Sequence, residues 1–337
     1  HPKVIEAAVG AMKEYGTGSC SSRILAGTTS LHTKLESKLA KFKGVEDALV
    51  FSTGFMTMAG TVSGIMGKGD VILSDEFNHA SIVDGCRLSG ADVRIYKHND
   101  MGSLEEHLAG RPASANKLIV TDGVFSMRGT VANLPRIVDL AQKHNAVLMV
   151  DDAHGTGVLG KTGRGTPEHF GLDGRIDIVC GTFSKSLGTI GGFAGSSKEI
   201  ISYLRLNSRP FLFTAAPPPS VVATVIACLE VIEEEPELLV KLHDNTRIVK
   251  EGLSDAGFSL EDTVTPIIPV LIGDDRITFK VAAALEDEGI MVNPVVAPAV
   301  PPGNSLIRIS VMASFSTDQL VEAIRKIKLV GQRMGIV

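Results

Sequence analysis

Short apolar runs alternate with amphipathic helical patterns over the first two thirds of this sequence. The runs show no alternation of polar and apolar residues, and they span residues 48–51, 71–73, 117–120, 146–150 and 176–180. Between them lie stretches such as the one that contains Leu31, Leu35, Leu39 and Phe42, whose spacing places four side chains on one helical face. This pattern predicts an α/β fold with a mostly parallel sheet covered on both faces. Ligands of such sheets bind where the strands end.

The pattern changes near Pro217. Helical segments at 220–235 and 236–256 are followed by strand-like runs at 269–272 and 305–311 and by a last helix at 316–334. We therefore predict a large domain over residues 1–216 and a smaller C-terminal α+β domain over residues 217–337. The chain begins at His1, and we expect the N-terminal segment of the large domain to be incomplete there.

Charge and cysteine usage exclude several classes of protein. The formal net charge of −5 is spread along the 337 residues without a basic block, so we expect no nucleic-acid partner. The four cysteines show no paired spacing, which predicts reduced thiols in a cytoplasmic protein, and we expect no metal centre. No apolar run reaches the roughly 18–20 residues that a membrane span requires.

One motif points to a different class of enzyme. The segment from Gly155 to Thr162 satisfies the phosphate-loop pattern G-x-x-x-x-G-K-[ST]. That pattern binds phosphate only where a strand feeds the loop directly and a helix follows the Lys. Here residues 152–154 separate the loop from the strand, and Gly163 to Pro167 cannot begin a helix at once. We therefore interpret the match as a coincidence within a glycine-rich loop.

A hydrophobic run leads directly into Asp151, Asp152 and His154. A solvated strand end would account for these residues. An active site would account for them as well, because ionisable groups at the ends of parallel strands are typical of ligand sites. Both interpretations are open at this point.

Lys185 also follows a buried run. A lone Lys in such a position is usually a surface charge. Its neighbours here are hydroxyl side chains, Phe183 and the charge-free stretch from Ser186 to Ser197. Surroundings poor in charge favour the neutral amine that imine formation requires.

Two further segments follow predicted strands. Gly54 stands where a strand leads into a helix, and the first N–H groups of a helix can bind an anion. His79 follows the run at 71–73, although a single histidine is more often structural than catalytic.

One cofactor would account for all four segments. Pyridoxal phosphate requires a Lys for attachment, a carboxylate for its ring nitrogen, a flat group against the ring, a donor to its phenolate oxygen and a phosphate site. The sequence offers Lys185, Asp151, His79 and His154, together with Gly54, Thr182 and Ser184. These residues predict a pyridoxal-phosphate enzyme.

The whole chain resembles the α-oxoamine synthases, a family of fold-type I pyridoxal-phosphate enzymes. The resemblance rests on Glu14 to Gly18, Gly27 to Thr29, Asn78 to Ser81, Val150 to Gly155 and Gly181 to Lys185. It implies a homodimer and an acyltransferase that condenses an amino acid with an acyl-CoA. Lys185 would then hold the cofactor and move the α-proton, Asp151 would pair with the ring nitrogen, His154 would bond the 3-oxygen, and His79 would stack on the ring and help to orient the substrate carboxylate.

The resemblance also implies the other ligand contacts. The cofactor phosphate would be held by Gly54, Phe55, Thr182 and Ser184. Phe213 and Thr214 would reach the phosphate of the neighbouring subunit. Arg308 would bind the amino-acid carboxylate, for which a planar guanidinium is suited. Some bacterial members carry an additional Arg twelve residues before that position, where this chain has Val296.

Within the family, the segments Gly181 to Gly192 and Val292 to Pro301 resemble those of members that condense L-serine with palmitoyl-CoA. Three alternatives remain open. A sister synthase would use glycine or alanine with the same residues. An aminotransferase would share the fold but would carry a Tyr near the position of His154. A non-catalytic subunit would lack Lys185, which this chain has. A long-chain product would also leave peripheral membrane association open, although no basic amphipathic helix is visible.

Overall fold

The computed structural model describes residues 1–109 and 115–337, and these form two compact units. The first unit comprises His1–Val124 and Ala132–Glu235, and the second comprises Phe125–Val131 and Pro236–Val337.

The described part of the first unit contains one seven-stranded sheet. Its strands are β1 (Asp47–Phe51), β2 (Val71–Asp75), β3 (Asp92–Tyr96), β4 (Lys117–Asp122), β5 (Val147–Asp151), β6 (Ile178–Thr182) and β7 (Gly192–Ser196). Their order is β1-β7-β6-β5-β4-β2-β3, and every pair is parallel except the two pairs that β7 makes with β6 and β1. The predicted α/β class with a mostly parallel sheet is confirmed.

Helices cover both faces of this sheet. They are α1 (Pro2–Tyr15), α2 (Ser30–Lys43), α3 (Gly54–Ile65), α4 (Ala80–Ser89), α5 (Met101–Ala109), α6 (Leu134–Lys143), α7 (Thr166–His169), α8 (Lys198–Asn207), α9 (Arg209–Leu212) and α10 (Pro219–Glu234). Along β1, Leu49 and Phe51 pack into the cluster that includes α3 and α8, whereas Ala48 and Val50 pack into the cluster that includes α2 and α10. Because both strand faces are buried, the strands carry no polar alternation.

The second unit has its own core. Its elements are α11 (Glu237–Asp255), β8 (Ile267–Gly273), α12 (Asp275–Asp287), β9 (Asn293–Val295), β10 (Ser305–Ser310) and α13 (Thr317–Arg333). The strands form an antiparallel sheet in the order β8-β10-β9. Side chains such as Val270, Leu285, Ile307 and Ile327 form a core with the helices.

The boundary between the two units lies after Glu235, whereas the predicted domain boundary lies after residue 216. The physical reason is the packing of α10 on α1 and α2, which includes this helix in the first unit. No helix among the described residues is both long and apolar enough to cross a membrane.

Candidate active site

Four neighbouring parallel strands of the first unit end at one edge of the sheet. In the order β6-β5-β4-β2, their last residues are Thr182, Asp151, Asp122 and Asp75. All four side chains are buried. Carboxyl ends of parallel strands are where ligands bind in sheets of this class, so this edge is the candidate site.

Asp151 and Asp152 are both buried, with relative exposures of 4% and 0%. The interpretation of this segment as a solvated strand end is therefore wrong. Burial raises the pKa of Asp151 to about 7, while the Ala153 N–H bond and the charge of Lys185 oppose the rise. His154 is half-buried in the turn that follows.

The glycine-rich loop after this turn is no phosphate loop. No helix begins directly after Lys161, since the next helix, α7, begins only at Thr166. Gly155 and Gly165 instead let the backbone pack against the Asp152 side chain. A Cβ atom on Gly155 would lie 2.1 Å from a carboxylate oxygen of Asp152, and one on Gly165 would lie 1.7 Å from such an oxygen. The exclusion made from the sequence is confirmed.

Lys185 lies in the turn that follows β6, where the Gly188 N–H donates to the Lys185 carbonyl oxygen. Phe183 and Leu187 are fully buried, whereas the side chains of residues 184–186 are exposed. The charge-free sequence around Lys185 therefore does not bury its side chain. Its ammonium group is near enough to lower the pKa of both Asp151 and His79, which places it above the carboxyl edge of the sheet.

His79 caps the N-terminus of α4. Its Nδ1 atom accepts the Ser81 N–H at 3.2 Å, and the Ser81 hydroxyl lies 2.7 Å from the same atom. A neutral ring whose Nδ1 is an acceptor carries its proton on Nε2. Burial lowers the pKa of His79, and the charge of Lys185 lowers it further, so the neutral form is favoured. The His79 backbone N–H donates to Asp122 Oδ2 at 2.9 Å.

The start of α3 carries the N–H groups that the predicted phosphate contact requires. The Thr53 hydroxyl accepts the Met56 N–H at 3.1 Å, and helix geometry leaves the N–H groups of Gly54 and Phe55 without intrahelical acceptors. A Cβ atom on Gly54 would lie 2.6 Å from Thr182 Oγ1, so only Gly permits this close approach.

Further hydroxyl groups surround this helix start. Thr182 Oγ1 lies 2.9 Å from Ser184 Oγ and donates to Gly191 O at 3.1 Å. Thr214 Oγ1 lies 3.7 Å from Met56 Sδ of the same chain. Phe213 is 74% exposed, beneath the guanidinium group of Arg209. The predicted phosphate residues Gly54, Phe55, Thr182, Ser184 and Thr214 are thus associated with the first turn of α3.

The comparisons with known proteins agree with this geometry. The model of the family "aminotransferase class I and II" matches residues 1–327. A serine palmitoyltransferase of Sphingobacterium spiritivorum is 47% identical over 325 residues, which are 96% of this chain and 82% of that protein. The chain belongs to the class I and II aminotransferase family. Within that family it is an α-oxoamine synthase, a pyridoxal-phosphate-dependent acyltransferase.

Two other α-oxoamine synthases are similarly related. An 8-amino-7-oxononanoate synthase of Bacillus velezensis is 46% identical over 337 residues, which are 100% of this chain and 86% of that protein. The solved serine palmitoyltransferase of Sphingomonas wittichii matches with a TM-score of 0.97 and 39% identity, and the match covers 100% of this chain and 85% of that structure. The predicted family and cofactor are confirmed, and the non-catalytic alternative is excluded.

The residues present fit the cofactor of the α-oxoamine synthases. Gly54 lets the start of α3 pack closely against Thr182, so that helix N–H groups suited to a phosphate lie beside the Thr182 hydroxyl. Asp151 is a buried carboxyl that would gain a counter-charge from a protonated ring nitrogen. Lys185 is exposed, and its charge acts on Asp151 and His79 at the same edge.

Arg308 lies on β10 of the second unit. Its Nε donates to Ser126 O at 2.6 Å and its Nη1 donates to Ser310 Oγ at 2.7 Å, while burial lowers its pKa. These contacts fix the direction of the guanidinium group. Its role in binding a carboxylate stays a prediction.

Three residues that hold the site together were not predicted from the sequence. Asp122 accepts the His79 N–H, Ser81 fixes the His79 ring, and Thr53 caps α3. Asp122 could have been found, because the rule that singled out Asp151 applies equally to the end of the run that begins at Lys117. Ser81 and Thr53 carry no signal beyond that of ordinary helix caps.

Proposed function

We propose that this enzyme condenses L-serine with a long-chain acyl-CoA, palmitoyl-CoA, to give 3-ketosphinganine, CoA and carbon dioxide, the first step of sphingolipid synthesis. The observation that carries the proposal is the gathering of Lys185, Asp151 and His79 at the carboxyl edge of β2, β4, β5 and β6. The serine palmitoyltransferase relatives and the resemblance of Gly181 to Gly192 support the choice of L-serine.

Pyridoxal phosphate, when bound, supplies an electron sink that stabilises negative charge on the α-carbon of the amino acid. The Asp151 carboxylate would keep the ring nitrogen protonated, which strengthens that sink. His154 would bond the 3-oxygen, and the His79 ring would stack on the cofactor. The phosphate would be held by Gly54, Phe55, Thr182 and Ser184.

Lys185 would hold the cofactor and then take and return the α-proton of the substrate. Its exposure leaves the amine free to move between these tasks. His79 would remain neutral with its proton on Nε2, the form that its contact with Ser81 and its lowered pKa favour. A neutral donor can orient a substrate carboxylate without adding a second positive charge beside Lys185.

Arg308 would bind the carboxylate of the amino acid. Ser126 O and Ser310 Oγ orient its guanidinium group, as a bidentate contact requires. The carboxylate must later leave as carbon dioxide, so this contact would hold the substrate until the new carbon–carbon bond has formed.

The enzyme would act as a homodimer. Phe213, Phe55 and Leu25 are large apolar side chains that are 74%, 48% and 80% exposed in the single chain, and a partner subunit would cover them. Thr214 lies beside its own α3, and in a dimer it would also be available to the phosphate of the neighbouring subunit. Cytoplasmic location and peripheral membrane association stay predictions.

A sister reaction with glycine or L-alanine is the second candidate, favoured by the similar 8-amino-7-oxononanoate synthase. The residues that hold the cofactor would be the same. Discrimination among amino acids that differ by one small group is often only about 10–200-fold, so it depends on a few side chains around the substrate.

The test is the visible absorbance of the purified holoenzyme during titration with L-serine, glycine, L-alanine and L-threonine. We expect the tightest response with L-serine and a further change on addition of palmitoyl-CoA. Tighter binding of glycine or L-alanine would favour the sister reaction.

Lys185→Ala and the exposed Lys198→Ala serve as a matched pair in the same titration. We expect Lys185→Ala to lose the visible band of attached cofactor and Lys198→Ala to keep it. An intact band in Lys185→Ala would contradict the assignment of the attachment site.

A further inference from the structure

Lys43, the last residue of α2, has a fully enclosed ammonium group. Its Nζ donates to Asp152 Oδ2 at 2.7 Å, to Thr156 Oγ1 at 2.7 Å and to Arg164 O at 2.6 Å. The side chains of Lys43 and Asp152 are 2% and 0% exposed. All three ammonium hydrogens are therefore used in one buried network.

The Asp152 carboxylate is saturated as well. Oδ2 accepts from Lys43, and Oδ1 accepts the N–H and the hydroxyl of Thr166 at 2.9 and 2.6 Å. The Thr156 hydroxyl lies 2.8 Å from the Asp152 carbonyl oxygen and 3.1 Å from Oδ2. The backbone takes part too, because the Asp152 N–H donates to Cys180 O on β6 and its carbonyl accepts the N–H groups of Gly155 and Thr156. Asp152 thus fixes the turn that carries His154.

The same network reaches the segment that carries Lys185. The Ser186 hydroxyl donates to Thr156 O at 2.6 Å, and a Cβ atom on Gly157 would lie 2.6 Å from Ser186 Oγ. One chain of hydrogen bonds therefore runs from Lys43 through Thr156 to the residue next to Lys185. Lys43 also binds Asp152, whose peptide bonds join it directly to Asp151 and Ala153.

A buried ion pair is seldom the best way to stabilise a fold, because well-packed apolar residues of similar volume do as well or better. A hydrogen-bonded ion pair does, however, fix the orientation of its partners, which apolar packing does not. We infer that Lys43 is a positioning residue for the cofactor site, which holds Asp151 and His154 on one side and Lys185 on the other in the orientation that pyridoxal phosphate requires. The inference rests on the proposed roles of these three residues.

Lys43→Met keeps the length of the side chain and removes the charge. We expect the dissociation constant of pyridoxal phosphate to rise at least ~10-fold, because small displacements of Asp151, His154 and Lys185 would weaken their contacts with the cofactor. We also expect the pH titration of the visible band to shift, which a purely structural role would leave in place. Lys41→Met, an exposed Lys on the same helix, is the matched control and should match wild type in both readouts.

The double variant Lys43→Met/Asp152→Asn removes both charges and so avoids an uncompensated buried carboxylate. We expect it to fold, to bind the cofactor more weakly than wild type and to be less impaired than the sum of the single variants. Thermal unfolding of the cofactor-free proteins separates loss of fold from loss of positioning. If neither variant folds, Ser186→Ala decides, and we expect a weaker affinity and a shifted titration there.

The inference would be overturned by wild-type affinity for pyridoxal phosphate and an unchanged pH titration in a folded Lys43→Met. If Lys43→Met does not fold, the same result in the folded double variant would overturn it. If neither folds, the same result in Ser186→Ala would overturn it. A wild-type protein without a visible band when supplied with pyridoxal phosphate would instead contradict the proposed cofactor site. The two failures are therefore distinguishable.

Discussion

Asp122 and Asp151 are paired in register on the adjacent parallel strands β4 and β5, so two buried carboxyl groups lie side by side at the edge of the sheet. Burial raises the pKa of Asp122 well above its usual value, and the neighbouring Asp151 raises it further. The cofactor-free site therefore holds more protons than the unfolded chain at neutral pH. A protonated ring nitrogen would supply the positive charge that lets Asp151 ionise.

The first prediction concerns the stability of the cofactor-free protein. Folding raises the pKa of Asp151 from 3.8 to about 7, so the folded state favours the protonated carboxyl. The stability that this protonated group contributes is fully present below about pH 4 and is lost as the pH rises toward 7. Asp151→Asn does not titrate. We expect this variant to gain on the order of 2 kcal/mol relative to wild type between about pH 5 and pH 8, after a discount for coupling to Asp122.

Thermal unfolding of both cofactor-free proteins at the two pH values measures this difference. The same variant should bind pyridoxal phosphate more weakly, since the ring nitrogen loses its anion. A stability difference that does not change with pH would show that Asp151 does not titrate in this range.

The second prediction concerns Asp122 as the acceptor for the backbone of His79. Asp122→Ala leaves the His79 N–H without its acceptor, which costs about 1–3 kcal/mol where the group is buried. We expect the cofactor dissociation constant to rise roughly 10-fold as His79 moves. Asp122→Asn keeps an oxygen acceptor and should lose much less. Equal losses in both variants would contradict the role of this hydrogen bond.

The third prediction separates substrate binding from cofactor binding. We expect Arg308→Ala to raise the dissociation constant of L-serine roughly 10- to 100-fold, because a charge-assisted contact to its carboxylate is lost. Arg308→Lys should be intermediate, since it restores the charge without the planar fork. Spectroscopic titration with L-serine measures both, and the visible band before L-serine is added should be unchanged. Arg325→Ala, which removes an exposed Arg of the same unit, is the control. Unchanged affinity for L-serine in Arg308→Ala would remove this residue from the substrate site.

The sheet was predictable from sequence because its buried strands are continuous apolar runs. The strand ends were less so, since β4 continues through Thr121 to Asp122 and β6 through Gly181 to Thr182. Polar residues that close a buried strand look like the start of a loop. Two strands of this sheet were not predicted, for different reasons. β3 is an edge strand with exposed side chains, and β7 contains two glycines in five residues.

The candidate site was predictable where a residue has chemistry of its own, as with Lys185, Asp151 and His79. The residues that hold them in place were not. Lys43 is separated by 109 positions from Asp152 along the chain and carries no local signal of its buried contact. Similarly, Lys185 is exposed together with residues 184 and 186 in the turn after β6, and the charge-free composition around it does not signal that turn.

The most direct test is the release of carbon dioxide from carboxyl-labelled amino acids by the holoenzyme with palmitoyl-CoA, with the ketone product identified by mass spectrometry. We predict that carbon dioxide and 3-ketosphinganine form with L-serine, at a specificity roughly 10–200-fold above glycine and L-alanine. Faster release from glycine or L-alanine, or reaction with a short acyl-CoA and none with palmitoyl-CoA, would contradict the proposed function.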